Sequence, residues 1–287
     1  MQPLLGAIVA FINRRKFLRL IQKFELVDLK LKYFKITRNY STDLKFSIIV
    51  LGIFVFIGFG LIILTSSQFF IHNIYHHSIP YENPFFLVGL PFSSLFEYTH
   101  GVAMIAIYVR LKSLLKFIKN ENNLNINDLK LINFIYTNLT DIMKLSNQIF
   151  SLNSLIGLTE FSIHTTFAAF SAYQFFISKI KFDLLIFLLV GVSYFISKIQ
   201  LYLFLIIYIS SVRSTGNDLW IEINKKQNFD QKEKKFREIV IGQMRCNELI
   251  ASCGVYEFDW IVFFAIMTGA FSYLVVMIQF DLGINKN

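Results

Sequence analysis

The chain has 287 residues, of which 55% are hydrophobic, 17% aromatic and only 16% charged, with 33 Phe. That balance excludes an ordinary soluble domain and reads as an integral membrane protein. The net charge of +9 calls for no nucleic-acid partner, because the basic residues fringe apolar segments, where anionic lipid head groups attract them.

The first apolar run, 4–12, is too short to span a bilayer and is followed by Arg14, Arg15 and Lys16. Basic residues after the run, rather than before it, argue against a signal peptide. Residues 1–12 read as the cytoplasmic end of a truncated helix, and 13–45 as a basic cytoplasmic segment. Spans are expected at 46–71, 85–109, 182–212 and 260–280, each apolar over the length needed to cross about 30 Å of hydrocarbon. A fifth, 151–178, carries Glu160, His164 and several hydroxyls, so it faces protein more than lipid. The expected class is an all-α polytopic membrane protein, with about five full spans and the end of a sixth. Residues 46–212 hold four membrane helices, 213–257 a cytoplasmic loop and anchor helix, 258–281 the last helix and 282–287 an extracellular tail.

Between spans, 126–150 places Leu129, Ile132, Ile135, Tyr136, Leu139, Ile142 and Met143 at spacings of three and four, the signature of an amphipathic helix. Residues 236–251 behave likewise. Such helices either lie on the lipid surface or extend the spans inward and pack together; the breadth of the stripes favours the second. Cys246 and Cys253, seven residues apart on one helix, would sit roughly 10 Å apart, too far for a disulfide. They fit a reducing compartment.

Lys and Arg fall unevenly. Residues 13–45, 110–150 and 213–256 hold 24 of the 28, leaving Lys179, Lys181 and Lys286 on the other face and Lys198 within a span. The basic face is cytoplasmic by the positive-inside rule, which puts the carboxy terminus outside and leaves the sequons at Asn39 and Asn138 unglycosylated. A G-protein-coupled receptor ends inside the cell, so the charge count opposes that class.

No phosphate-binding Gly loop, His-Glu-x-x-His helix or Gly-x-Ser-x-Gly elbow occurs, so neither an enzyme nor a cofactor is expected. His72, His76 and His77 lack a completing ligand set beyond Glu82, so no metal site is assigned. Charges inside spans are costly unless paired or wetted, which singles out Glu97, Glu160 and Lys198, with His100 and His164. Lys198 either pairs with Glu97 or Glu160 to fix helix packing, or these groups form a polar pocket or gating contact. In a transporter they would be substrate or proton sites. Toward the outer half stand Phe92, Ser93, Ser94, Tyr98, Tyr173, Gln174 and Tyr194, a set of aromatic walls, hydroxyls and one amide that suits a small ligand. The same aromatics would serve as packing anchors. Pro91 either kinks its helix and opens space there or is merely tolerated.

The last span ends in Ser272-Tyr273-Leu274-Val275-Val276-Met277-Ile278-Gln279-Phe280. An amide there needs protein or water beside it. The segment resembles the carboxy-terminal signature of insect gustatory receptors: Thr-Tyr, five apolar residues, Gln-Phe. Ser272 replaces the Thr and keeps its hydroxyl. The stretch from Glu248 to Asp259 looks like that family's small-Cys-Gly-aromatic turn with an Asp before the last helix, and 13–28 resembles its loop between helices two and three.

The resemblance implies a ligand-gated, non-selective cation channel, a homo- or hetero-tetramer in the plasma membrane that responds to a small-molecule tastant. Its last helix would line the pore, with Ser272, Val275, Val276, Gln279 and Phe280 as pore or gate residues. Asp281 would be either a ring of carboxylates at the mouth or an ordinary interfacial acid. The chain departs from the family at its front, lacking the first span and nearly all of the second, which the ligand pocket uses. Odorant receptors share the architecture and form the near alternative.

Overall fold

A computed structural model describes residues 2–36, 84–121, 124–177, 182–226, 231–252 and 257–284. The expected span at 46–71, the three loop histidines and Cys253 lie outside these residues.

The described chain is helical, without a strand: α1 (Gln2–Leu31) and a short turn Lys32–Phe34, α2 (Pro84–Asn120), α3 (Ile126–Ile177), α4 (Phe182–Lys225), α5 (Gln231–Cys246) and α6 (Trp260–Ile284). α2 continues through Pro91. The 126–150 stripe and the 151–178 span form one helix, α3, of 52 residues. At 1.5 Å per residue it is about 78 Å long, far more than a bilayer needs. The amphipathic stripe thus continues the 151–178 segment as one helix, with its apolar side packed against the other helices. Its start is fixed by a reciprocal cap: the Asp128 N–H donates to Asn125 Oδ1 at 2.8 Å and the Asn125 N–H donates to Asp128 Oδ2 at 3.2 Å.

The helices share one hydrophobic core. Val27 of α1, Leu111 and Ile118 of α2, Ile132 and Leu139 of α3, Leu205 and Val212 of α4 and Val240 of α5 are all essentially inaccessible. Water drives such burial wherever helices stand outside a bilayer, whereas among lipid tails the hydrophobic effect between helices vanishes and close approach takes over. Accordingly Gly101 lets α2 meet α4 so closely that a Cβ there would lie 2.7 Å from the Phe204 ring.

α5 ends at Cys246, not near 251, so the expectation of Cys246 and Cys253 on one helix is incorrect. Side chains of α3 take up the carbonyls that would have continued the helix. The Tyr136 hydroxyl lies 3.2 Å from both the Met244 and the Asn247 carbonyl oxygens, and Asn147 Nδ2 donates to Ile250 O at 2.9 Å. Burial, and then the Glu248 carboxylate, push the Tyr136 hydroxyl from 10.0 up to about 12. Its contribution to stability is complete below the ordinary value of 10.0 and is lost as pH rises through about 12. Tyr136→Phe, which strips a donor from buried carbonyls, is expected to cost about 1 kcal/mol in thermal unfolding. The variant should also lose the native protein's extra destabilisation between those pH values.

The sequon residue Asn138 is buried in α3, where its amide donates to Phe134 O at 2.9 Å.

Candidate functional site

Lys198 and Tyr202 lie four residues apart, hence on one face of α4. Both reach Glu97 of α2. Lys198 Nζ lies 3.0 Å from Glu97 Oε2, and the Tyr202 hydroxyl donates to Oε1 at 2.8 Å. The Glu97 and Lys198 side chains are each only 1% exposed. Of the two partners expected for Lys198, Glu97 is the one the fold brings to it, while Glu160 stands half-buried on α3. Gly157 of α3 closes the third side: a Cβ there would fall 1.8 Å from Glu97 Oε1 and 2.7 Å from the Tyr202 oxygen. The Tyr202 ring packs on Phe161 at 5.3 Å. Three helices therefore converge on one carboxylate, and burial of the charge is offset by a cation and a hydroxyl.

Tyr202 and Gly157 were not singled out from the sequence. The four-residue spacing from Lys198 carried a signal for Tyr202; for Gly157 no local pattern did.

Of the outer set, Tyr98 is buried and Tyr173 half-buried, its ring stacked on Phe170 at 5.9 Å. The side chains of Phe92, Ser93, Ser94, Gln174 and Tyr194, and of His164, lie outside the described residues. No cluster of three or more His, Cys, Asp or Glu suited to a metal occurs among the described residues.

α6 begins at a side-chain cap. Asp259 Oδ1 accepts the Val262 N–H at 2.9 Å, which satisfies a free donor of the first turn. Phe263, Ile266, Met267, Ala270, Leu274 and Met277, at spacings of three and four, are its buried or half-buried side, and the helix packs chiefly on α3. The opposite side exposes Ile261 and Phe264 at its start and, along the rest of the helix, Ala265, Thr268, Ser272, Val275, Val276 and Gln279. From Ala265 on, that stripe is small and partly polar, although α6 is the most apolar membrane-length helix among the described residues. The Ser272 hydroxyl donates to Thr268 O at 2.9 Å, so the helix itself satisfies it. Tyr273 and Phe280 are exposed beside the stripe. The Asp281 side chain lies outside the described residues.

The fold has solved counterparts. It is similar to the insect olfactory receptor OR5 from Machilis hrabei, with a TM-score of 0.68 and 15% identity over 97% of this chain and 78% of that one. It also resembles the same receptor in complex with eugenol, with a TM-score of 0.62 and 11% identity over the same shares. At these identities the likeness is one of fold. No match was found among curated proteins. The model of the 7tm chemosensory receptor family matches residues 3–284, nearly the whole chain. The chain therefore belongs to the 7tm chemosensory receptors, the insect gustatory and odorant receptor type, which are receptors and not enzymes.

Proposed function

We propose that this chain is a subunit of a gustatory receptor: a ligand-gated, non-selective cation channel in the plasma membrane, its carboxy terminus outside, with α6 of each subunit lining a shared tetrameric pore. The carrying observation is the stripe Thr268, Ser272, Val276 and Gln279, small or polar, on the face of α6 that its own protomer leaves uncovered. Facing lipid, these amide and hydroxyl groups would gain nothing; facing a water-filled axis, they are solvated.

Fourfold repetition makes rings of Gln279 and Ser272, able to replace part of an ion's hydration. Phe280 flanks the stripe, where an apolar ring closes a pore by dewetting. Asp281 is either a ring of carboxylates at the mouth or an ordinary interfacial acid. The tastant is a small molecule held among Tyr98, Tyr173 and the outer residues Phe92, Ser93, Ser94, Gln174 and Tyr194, above the Glu97–Lys198 pair. The gustatory assignment draws support from the Ser272-Tyr273 to Gln279-Phe280 signature. An odorant receptor is the second reading, favoured by the likeness to the receptor solved with eugenol.

Gln279→Ala and Phe280→Ala, in protein that reaches the cell surface, are expected to change unitary conductance, ion selectivity or resting leak by about twofold or more. Unchanged currents in both would overturn the pore assignment.

A further inference from the structure

His100 lies three residues beyond Glu97 on α2, on the same face, and is fully buried. Its ring lies nearly parallel to Phe150 of α3, with centroids 5.2 Å apart and planes 17° apart, and it meets Phe258 edge-on at 5.9 Å. Nδ1 stands 3.4 Å from the Ser154 hydroxyl. Phe258 is buried too, and its N–H donates to Ala251 O at 2.8 Å. The next residue is Asp259, the cap of α6. One imidazole thus bridges the helix that carries Glu97 and the root of α6.

We propose that His100 is a positioning residue that couples the Glu97–Lys198–Tyr202 cluster to the start of α6 through Phe258. The cluster behaves as an all-or-none element. Inside a membrane the carboxylate cannot trade Lys198 for bulk water, so a relative shift of α2 and α4 leaves the pair either intact or rearranged. Less than a turn of rigid helix carries that choice from Glu97 to His100. From there it passes through close-packed rings, which do not deform continuously. Little slack follows, because Phe258 is tied to Ala251 and Asp259 to Val262. The inference rests on the channel reading only where it equates the position of α6 with conduction.

Hydrogen exchange of the full chain in phospholipid nanodiscs tests the coupling without a ligand or a current. Glu97→Gln is expected to speed exchange of the Phe258, Val262 and Phe263 amides by about threefold or more. Tyr202→Phe, a gentler change to the same cluster, should move them in the same direction. His100→Ala should match Glu97→Gln, and the two together should do no more than either alone. His100→Phe, which keeps a ring against Phe150 and Phe258, should restore near-native exchange. The proposal is overturned if Glu97→Gln and Tyr202→Phe leave those three amides unmoved, if the two effects multiply, or if His100→Phe behaves like His100→Ala. Coupling found in a chain that carries no current, alone or with co-expressed receptor subunits, would sink the channel reading and leave this one standing. Current without coupling would do the reverse.

Discussion

Lys198→Met is expected to lower the stability of the folded protein by about 3–5 kcal/mol, because it leaves Glu97 charged, buried and deprived of its cation. The side chains are almost wholly enclosed, and Gly157 packs onto the carboxylate with no room for a methyl group, so water cannot enter cheaply to replace the ammonium. Tyr202 would remain, but one neutral donor does not balance a full charge. Thermal unfolding in detergent, followed by size-exclusion of the soluble fraction, would register the loss as a fall in melting temperature and yield. The double variant Glu97→Gln with Lys198→Met should recover most of it, since a neutral amide still accepts from Tyr202 and no charge is stranded. If the single variant is as stable as the native protein, the pair does not hold α2 to α4.

The second large effect is expected at Asp28→Ala. Arg110 Nε donates to Asp28 Oδ1 at 2.8 Å while its Nη2 reaches Oδ2, a bidentate pair with both side chains under a tenth exposed. The guanidinium also donates to Ala106 O at 2.8 Å and lies 4.3 Å above the Phe24 ring. Removing the carboxylate takes from a buried cation its bidentate partner at the α1–α2 junction, at a cost of about 3–5 kcal/mol in the same melting assay. Arg110→Lys should also lose stability, though less, because an ammonium can replace neither the two-pronged contact nor the stacking. Equal stability of Asp28→Ala and the native chain would show that this pair does not hold α1 to α2.

Much of the scaffold was legible because it rests on local pattern. The stripe at 126–150 announced the first half of α3, and the apolar run at 260–280 announced α6. Lys198 and Tyr202 share a face by spacing alone. Their partner was open, since Glu97 and Glu160 are both carboxylates at membrane depth and Glu97 lies 101 residues away in sequence. The Asp28–Arg110 pair, 82 residues apart, carried no signal at all. The stop of α5 at Cys246 was misread for a related reason. No Gly or Pro directly follows it, and the Met244, Asn247 and Ile250 carbonyls are taken by Tyr136 and Asn147 of another helix.

By itself, then, the sequence determined that the chain is a helical membrane protein, which segments are apolar enough to cross, and that the last of them carries an amide needing a polar neighbour. These follow from composition and a period of 3.6, which neighbouring residues alone establish. The tertiary structure decided which charges meet, that Gly157 presses on Glu97, that His100 touches the root of α6, and which side of α6 remains uncovered. Such contacts depend on how helices distant in sequence cross and rotate about their axes. That choice is made by close packing and by the need to neutralise buried charge, and no single helix records it.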